Sequence, residues 1–213
     1  MRNAYTENRR YFRRAYETGR HGWQSDESSP YVAQNLAKVA GVAPGGRLLD
    51  LGCGEGRHCF VAARMGFMPT GVDYEPLAIQ RARNRAQQAG LLDRVHFVVA
   101  DIYALPFPHS SFDVVLAYGC LHHQKKSDWS RYRAALLSML KPGGHFLLSV
   151  FSTAFRTYGP QERSWHLAHG AYRRFFTADD LHRLFDRDFE FLSLEEERDD
   201  MRGFWHALLA RKP

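Results

Sequence analysis

The sequence has little cysteine and no long apolar run, and both absences narrow the possible functions. The three cysteines among its 213 residues, Cys53, Cys59 and Cys120, match neither a disulfide framework nor a zinc pattern. We therefore expect no metal site and a reducing compartment, the cytoplasm. Nowhere do about 18 apolar residues follow one another, and the first residues lack the apolar core of a signal peptide. We expect no membrane partner.

The excess of positive over negative charge is also modest. The formal net charge is +6, and residues 1–20 hold six arginines against two glutamates, whereas residues 195–200 are mostly acidic. There is no lysine-rich tail, so we interpret the arginines as a solvated helix face rather than an RNA-binding surface. The length suits one domain with a well-buried core, and both a monomer and a homodimer are compatible with it.

A glycine-rich turn lies where an apolar run meets a segment with helical spacing. Residues 48–57 are Leu-Leu-Asp-Leu-Gly-Cys-Gly-Glu-Gly-Arg. A strand, a turn and a helix N-terminus in this order let backbone N–H groups approach a ligand. A dinucleotide motif would need a third glycine at position 57 or 59, which are Arg57 and Cys59, and a P-loop would need Gly-Lys-Ser/Thr. Neither motif is present.

Predicted helices and strands alternate along most of the chain. Apolar spacing predicts helices over 3–18, 31–40, 57–65, 76–89, 128–140 (capped by Ser127) and 177–185, and strands over 47–51, 69–73, 95–99, 114–117, 145–151, 189–194 and 204–210. The last two strands have only a polar turn between them, so they should form an antiparallel hairpin. Residues 152–176 are predicted to be a long functional connection rich in aromatic and histidine residues.

A carboxylate ends the second predicted strand. Asp73 follows Gly52 by 21 residues. In α/β folds that bind nucleosides, an acidic residue at about this distance accepts hydrogen bonds from the ribose hydroxyls. A helix cap before Pro76 is the alternative role for this side chain. The preceding glycine turn favours the ribose role.

These motifs together resemble those of class I S-adenosylmethionine (SAM)-dependent methyltransferases. The residues that carry the resemblance are Asp-Leu-Gly-Cys-Gly-Glu-Gly at 50–56, Asp73, Asp101-Ile102 after the third strand, and Leu-Lys-Pro-Gly-Gly at 140–144. The likeness is to small bacterial enzymes that act on small molecules, with a fainter one to thiol and tellurite methyltransferases. It implies a Rossmann-like α/β fold: a mostly parallel seven-stranded sheet with helices on both faces and a C-terminal antiparallel hairpin.

The resemblance also implies the cofactor, SAM, and the residues that contact it. The glycine turn would lie against the amino-acid part and the ribose, Asp101 would accept from the adenine amino group, and the Ile102 backbone N–H would meet the ring. Asp50 would fix the loop or reach the methionine end, which Tyr118 would line. The implied cofactor-binding residues are Asp50, Gly52, Cys53, Gly54, Gly56, Asp73, Tyr74, Asp101, Ile102 and Tyr118.

We expect a single domain over 1–213, in which each part of the chain has its own task. Residues 1–45 would form a helical lid, 46–151 the SAM-binding core, 152–176 a substrate-side insertion, and 177–213 the last helix and the hairpin. A general base is needed only for some acceptors. The candidate catalytic residues are Tyr118, His122, His123, His166 and His169, with His21 as a further possibility.

The alternatives to a small-molecule methyltransferase share the same core. One is an RNA or protein methyltransferase, although residues 118–121 are Tyr-Gly-Cys-Leu where amino-methylating nucleic-acid enzymes carry Asn/Asp-Pro-Pro-Tyr/Phe. The other is a non-catalytic SAM-binding module. The sequence favours a small-molecule acceptor but does not identify the nucleophile as sulfur, oxygen or nitrogen.

Overall fold

A computed structural model describes residues 4–23, 27–155, 166–168 and 170–213. Among the helices of these residues, none combines the length and the apolar character that a membrane span needs. The helices are α1 (Ala4–Thr18), α2 (Pro30–Ala40), α3 (Arg57–Arg64), α4 (Pro76–Gln88), α5 (Trp129–Met139) and α6 (Ala178–Phe185). The strands are β1 (Arg47–Leu51), β2 (Met68–Asp73), β3 (His96–Val99), β4 (Phe112–Tyr118), β5 (Leu140–Phe151), β6 (His166–Ala168), β7 (Ala171–Arg173), β8 (Phe189–Arg198) and β9 (Gly203–Arg211).

Seven strands form one sheet in the order β3-β2-β1-β4-β5-β9-β8. β1 to β5 pair in parallel, whereas β9 pairs antiparallel with both β5 and β8. The chain moves outward from β1 to β3 on one side and from β4 onward on the other. Ligands of such sheets bind beyond the carboxyl ends of the strands where this direction reverses, here between β1 and β4. The predicted fold is confirmed.

The central strands are apolar throughout because both of their faces are covered. Side chains alternate between the two faces of a strand, so Leu48 packs with Val32 and Leu36 of α2. Its neighbour Leu49 faces the opposite layer, which contains Leu136 of α5. Parallel strands buried on both sides have near-continuous hydrophobic sequences, as residues 114–117 do.

Three local predictions were wrong. Part of the predicted connection 152–176 is a short hairpin, β6 with β7, whose strands of three residues are too short to give a period. Ser127 does not cap α5 but lies within a 3₁₀ turn, Lys126–Asp128. β5 begins at Leu140 rather than at 145, with a register shift in β4 between Phe112 and Val114. The capping box at Thr177 and Asp180 is present as predicted.

Gly56 illustrates how tightly the glycine turn packs against β3. Its φ is +85°, and a Cβ atom there would lie 2.7 Å from Cζ of Phe97. We expect Gly56→Ala to lower the free energy of unfolding by about 2–5 kcal/mol, since left-handed backbone costs about 1–2 and overpacking about 1–3 kcal/mol. Urea denaturation measures this loss.

Gly66 provides the matched control for that substitution. Its φ is +92°, but a Cβ there would have nothing within 4 Å. Gly66→Ala should therefore cost only the backbone strain of about 1–2 kcal/mol. Equal losses for the two variants would show that contact with Phe97 contributes nothing.

Candidate cofactor and acceptor site

A cavity of about 1120 Å³ opens at the carboxyl ends of β1 and β4. The glycine turn and the residues after β2 and β3 form one end of it, and the segment after β4 forms its floor. Residues of α1 cover it, and Arg173 of β7 and the turn between β8 and β9 contribute the far wall. Its position is the one that the strand order predicts for a ligand.

The glycine turn is held in place by backbone hydrogen bonds to the end of β2. The N–H groups of Gly52 and Cys53 both donate to the carbonyl oxygen of Val72, at 2.8 and 3.0 Å. Gly52 and Gly54 have φ values of +74° and +54°, a conformation that suits glycine. A Cβ on Gly54 would lie 2.9 Å from the hydroxyl of Tyr16, so α1 approaches the turn closely.

Asp73 is positioned by two backbone amides at the cavity wall. Its Oδ2 accepts from the N–H of Gly54 at 3.0 Å, and its Oδ1 accepts from the N–H of Glu75 at 2.9 Å. Burial raises the pKa of Asp73 to about 6, and the two amides oppose that rise. Each carboxylate oxygen keeps a further lone pair, so the group can accept from two adjacent hydroxyls.

Asp101 and Ile102 both line the same end of the cavity. Oδ1 of Asp101 accepts from the N–H of Tyr103 at 3.0 Å, and Oδ2 accepts from Nη2 of Arg9 in α1 at 2.8 Å. The side chains of this ion pair are 58% and 41% exposed. Exposed ion pairs contribute at most about 1 kcal/mol to stability, so a ligand can replace Arg9 as the partner of Asp101 at little cost in free energy.

Tyr74 and Tyr118 complete the predicted residues at the wall. The hydroxyl of Tyr74 is buried and has no hydrogen-bond partner within the part of the chain that the structure describes. A buried hydroxyl of this kind costs free energy until a ligand satisfies it. Tyr118 lies beside the Arg57 guanidinium, 5.3 Å from its ring centre. A buried donor of this kind, on the residue that follows Asp73, fits a polar, nucleoside-like ligand.

Two of the residues predicted to contact the cofactor do not line the cavity, namely Asp50 and Gly56. Asp50 is 1% exposed, and its Oδ2 accepts from the Cys59 thiol at 3.5 Å. Burial raises the pKa of Asp50 to about 7. Gly56 lies at the N-terminus of α3 and packs against Phe97. Both residues support the turn from behind.

The structure also brings residues to the cavity that sequence analysis did not single out: Arg9, Phe12, Arg57 and Arg173. Phe12 lies edge-on to the rings of Tyr74 and His123, with centroids 6.2 and 4.9 Å apart. The only signal for Arg9 and Phe12 in the sequence is the aromatic and arginine content of α1. Pattern alone does not indicate which of its members face a ligand.

The candidate bases differ in whether they line the cavity. His122 and His123 both line the cavity, as does His21, whose ring stacks on Trp23 with centroids 4.5 Å apart. Burial lowers the pKa of His21. His166 lies on β6, where its backbone pairs with that of Arg173. His169 lies outside the described residues.

Known proteins resemble the chain in both sequence and structure. Residues 48–144 match a family model described as a methyltransferase domain. The 27-O-demethylrifamycin SV methyltransferase of Amycolatopsis mediterranei is 38% identical over 62% of this chain and 50% of its own length. A demethylmenaquinone methyltransferase of Tropheryma whipplei is 33% identical over 58% of this chain and 49% of that protein. The chain thus matches about half the length of these curated relatives.

A solved structure extends the likeness to the whole fold. The 1,6-didemethyltoxoflavin-N1-methyltransferase of Burkholderia thailandensis has a TM-score of 0.80 at 24% identity, covering 100% of this chain and 92% of that one. The sheet order, the glycine turn and the matched methyltransferase domain confirm the predicted relationship. Residues 48–144 therefore form a methyltransferase domain, within a chain whose fold is that of the class I SAM-dependent enzymes.

Proposed function

We propose that the protein transfers a methyl group from SAM to a small-molecule acceptor. The observation that carries this proposal is that one cavity joins the glycine turn and Asp73 to a compartment lined by aromatic rings and two histidines. The relatives named above methylate small molecules according to their names, a rifamycin and a demethylmenaquinone among them. A cavity of this volume has room for a cofactor together with a compact acceptor.

The cofactor would be held by the residues that line the turn end. Asp73 would accept from the ribose hydroxyls, Asp101 from the adenine amino group, and Tyr118 would border the methionine end. When bound, SAM supplies an electrophilic methyl group on a sulfonium. The toxoflavin enzyme with the same fold is described with bound S-adenosylhomocysteine, which supports this assignment. The chain itself must hold the acceptor in line and exclude water, and orientation can supply about 7–11 kcal/mol.

The region 1–45 would act as a lid through α1. The side chain of Asn8 accepts from the backbone N–H of Tyr172 at 2.7 Å and donates to its carbonyl oxygen at 3.3 Å, which links α1 to β7. The Tyr5 hydroxyl donates a hydrogen bond to the Asp128 carboxylate, which links α1 to the turn before α5. Together with the part of 152–176 that the structure describes, α1 would close the acceptor compartment. Phe12 is the centre of this cover, because its ring contacts Tyr74 at the cofactor end and His123 at the acceptor end.

Further features of the proposal concern the whole protein. All three thiols are free, which suits a reducing cytoplasm. The seven-stranded sheet supports a single domain over 1–213, with 46–151 as the SAM-binding core and 177–213 contributing the last two strands of that sheet. A monomer or a homodimer would serve equally. RNA is not the acceptor we propose, because residues 118–121 are Tyr-Gly-Cys-Leu where amino-methylating nucleic-acid enzymes carry Asn/Asp-Pro-Pro-Tyr/Phe.

The direct test is a screen of phenols, heteroaromatic compounds, thiols, amines and carboxylates for SAM-dependent methylated products, detected by mass spectrometry. We expect product from at least one class, and we expect Phe12→Ala to lower its turnover while leaving the protein folded. Product from RNA alone, with affinity falling steeply with salt, would support an RNA enzyme instead. SAM binding without any product would favour a binding module.

A further inference from the structure

His122 and His123 lie side by side on the cavity wall, and their Nδ1 atoms have opposite roles: one accepts a hydrogen bond and the other donates one. Nδ1 of His123 lies 3.0 Å from the carbonyl oxygen of Tyr172, and a carbonyl can only accept, so this nitrogen carries a proton. Nδ1 of His122 lies 3.3 Å from the backbone nitrogen of Phe151 and accepts from its N–H, so this nitrogen carries none. The two rings are therefore held in different tautomers.

The tautomers determine what each Nε2 can do. In a neutral imidazole one nitrogen is protonated, so Nε2 of His123 has a lone pair and Nε2 of His122 has a hydrogen. Burial lowers the pKa of both rings, that of His123 to about 3, and Arg173 lowers both further by its charge. Both rings are neutral near pH 7. His123 alone of the pair can accept a proton at Nε2.

The surroundings of the pair are flat and aromatic. Phe151 stacks on His122 with centroids 3.7 Å apart and planes at 10°, and Phe12 stands perpendicular to His123. The cavity wall here also includes Tyr11, Trp23, Phe155 and Phe204. Ring faces and edges of this kind favour a planar, π-rich ligand over a branched aliphatic one.

We propose that His123 is the general base of the transfer and that the acceptor is a planar aromatic or heteroaromatic compound bearing a hydroxyl or a ring N–H. This inference rests on the proposed function. The acceptor's lone pair forms the new bond to the methyl carbon, while the electrons of the breaking S–C bond remain on sulfur. The acceptor's O–H or N–H proton goes to Nε2 of His123, and the Tyr172 carbonyl stabilises the resulting imidazolium through Nδ1–H.

The weakness of this base narrows the acceptor class. A ring with a pKa of about 3 takes a proton readily only from a strongly acidic group, and a hydroxyl or ring N–H becomes one as its bond to methyl forms. An aliphatic ammonium, with a pKa of about 10.4 as in lysine, would keep its proton and offer no lone pair. Protonated aliphatic amines therefore lie outside the proposed acceptor class.

The tautomers themselves can be tested without any acceptor. We expect ¹⁵N NMR of the imidazole nitrogens in the full chain to show an Nδ1–H ring for His123 and an Nε2–H ring for His122, the signals being assigned with His122→Gln and His123→Gln. An Nε2–H tautomer for His123 would overturn the proposal, because the ring would then have no lone pair for the acceptor.

The base role is tested with a series of phenols of graded acidity. For phenols that are un-ionised at the assay pH, His123→Gln should lower kcat by about 10²-fold, the lower end of the range for general bases, because the pKa of this ring lies below the assay pH. Phenols that are already ionised need no base and should lose less than about tenfold. An equal loss for both groups would overturn the base assignment, and a preference for aliphatic amines would overturn the acceptor class.

Two controls separate this inference from the proposed function. His182→Gln, on the exposed side of α6 and outside the cavity, should leave every rate unchanged. Calorimetry should show the same SAM affinity for His123→Gln as for the unaltered protein. If the unaltered protein did not bind SAM, the proposed function itself would be rejected. If it bound SAM but His123→Gln lowered kcat equally for ionised and un-ionised phenols, only the role of His123 would be rejected.

Discussion

Asp73→Ala is expected to weaken SAM binding by about 10- to 150-fold. The reason is that hydrogen bonds to a charged group contribute about 1.5–3 kcal/mol, and each 1.4 kcal/mol is a factor of ten. Both carboxylate oxygens are held at the wall by the N–H groups of Gly54 and Glu75, so no reorganisation is needed for them to accept the ribose hydroxyls. Titration calorimetry with SAM and with S-adenosylhomocysteine measures the loss.

Asp113 offers a matched control for this substitution. It too lies in a strand and accepts a backbone N–H, that of Arg47 at 2.9 Å, and it pairs with the Lys141 ammonium at 2.7 Å. It does not line the cavity. Asp113→Ala should therefore reduce stability but not SAM affinity. Unchanged affinity in Asp73→Ala, or equal losses in both variants, would contradict the ribose role.

Three of the residues predicted to bind the cofactor meet at one end of the cavity because they follow the order of the sheet. Gly52 follows β1, Asp73 ends β2 and Asp101 lies two residues beyond β3, and neighbouring parallel strands end at the same edge. The chain order of strands thus becomes spatial proximity without any knowledge of long-range contacts. The same logic predicted the hairpin of β8 and β9, because a short polar turn leaves few other pairings.

The acceptor end depends on contacts between distant parts of the chain. Arg9 reaches Asp101 across 92 residues, and Asn8 meets Tyr172 across 164. Spacing patterns report which face of α1 is apolar, but they do not report what that face covers. This is why α1 could be proposed as a lid while the ion pair that occupies Asp101 could not be foreseen.

The choice between two adjacent histidines shows the same limit. His122 and His123 are equivalent as letters, but their tautomers depend on Phe151, 29 residues away, and on Tyr172, 49 residues away. Tyr172 belongs to the short hairpin that sequence analysis missed. The error in the fold and the open choice of base are therefore linked through Tyr172, because strands of only three residues give a weak signal.

Asp50→Asn is expected to stabilise the SAM-free protein above pH 7 by on the order of 4 kcal/mol, and to change stability little near pH 3. Burial raises the pKa of Asp50 from 3.8 to about 7 in the folded state. The shift of about three pKa units corresponds to roughly 1.36 kcal/mol per unit. Asparagine has nearly the same shape but no charge, so it avoids the cost of a buried carboxylate.

The pH dependence follows from which state binds the proton. Between pH 4 and 7 folded Asp50 stays protonated while the unfolded chain has lost its proton, so stability falls as pH rises through this window. Below pH 4 Asp50 is protonated in both states, and its full contribution to stability is present. Above pH 7 it is ionised in both states, and that contribution is lost. Urea denaturation at pH 4, 6 and 8 should therefore show Asp50→Asn gaining on the unaltered protein as pH rises.

Asp113→Asn should show the opposite trend. Burial alone would raise the pKa of Asp113, but the bonds from Lys141 and from the Arg47 amide outweigh it and lower the pKa. Its ionised form therefore stabilises the fold at neutral pH and is lost as the pH falls through its folded pKa. Removing that charge should destabilise the protein at pH 8 and matter less in acid. If the free energies of unfolding of Asp50→Asn and of the unaltered protein instead changed in parallel with pH, burial would not raise the pKa of Asp50. Its position behind the glycine turn would then carry no electrostatic cost.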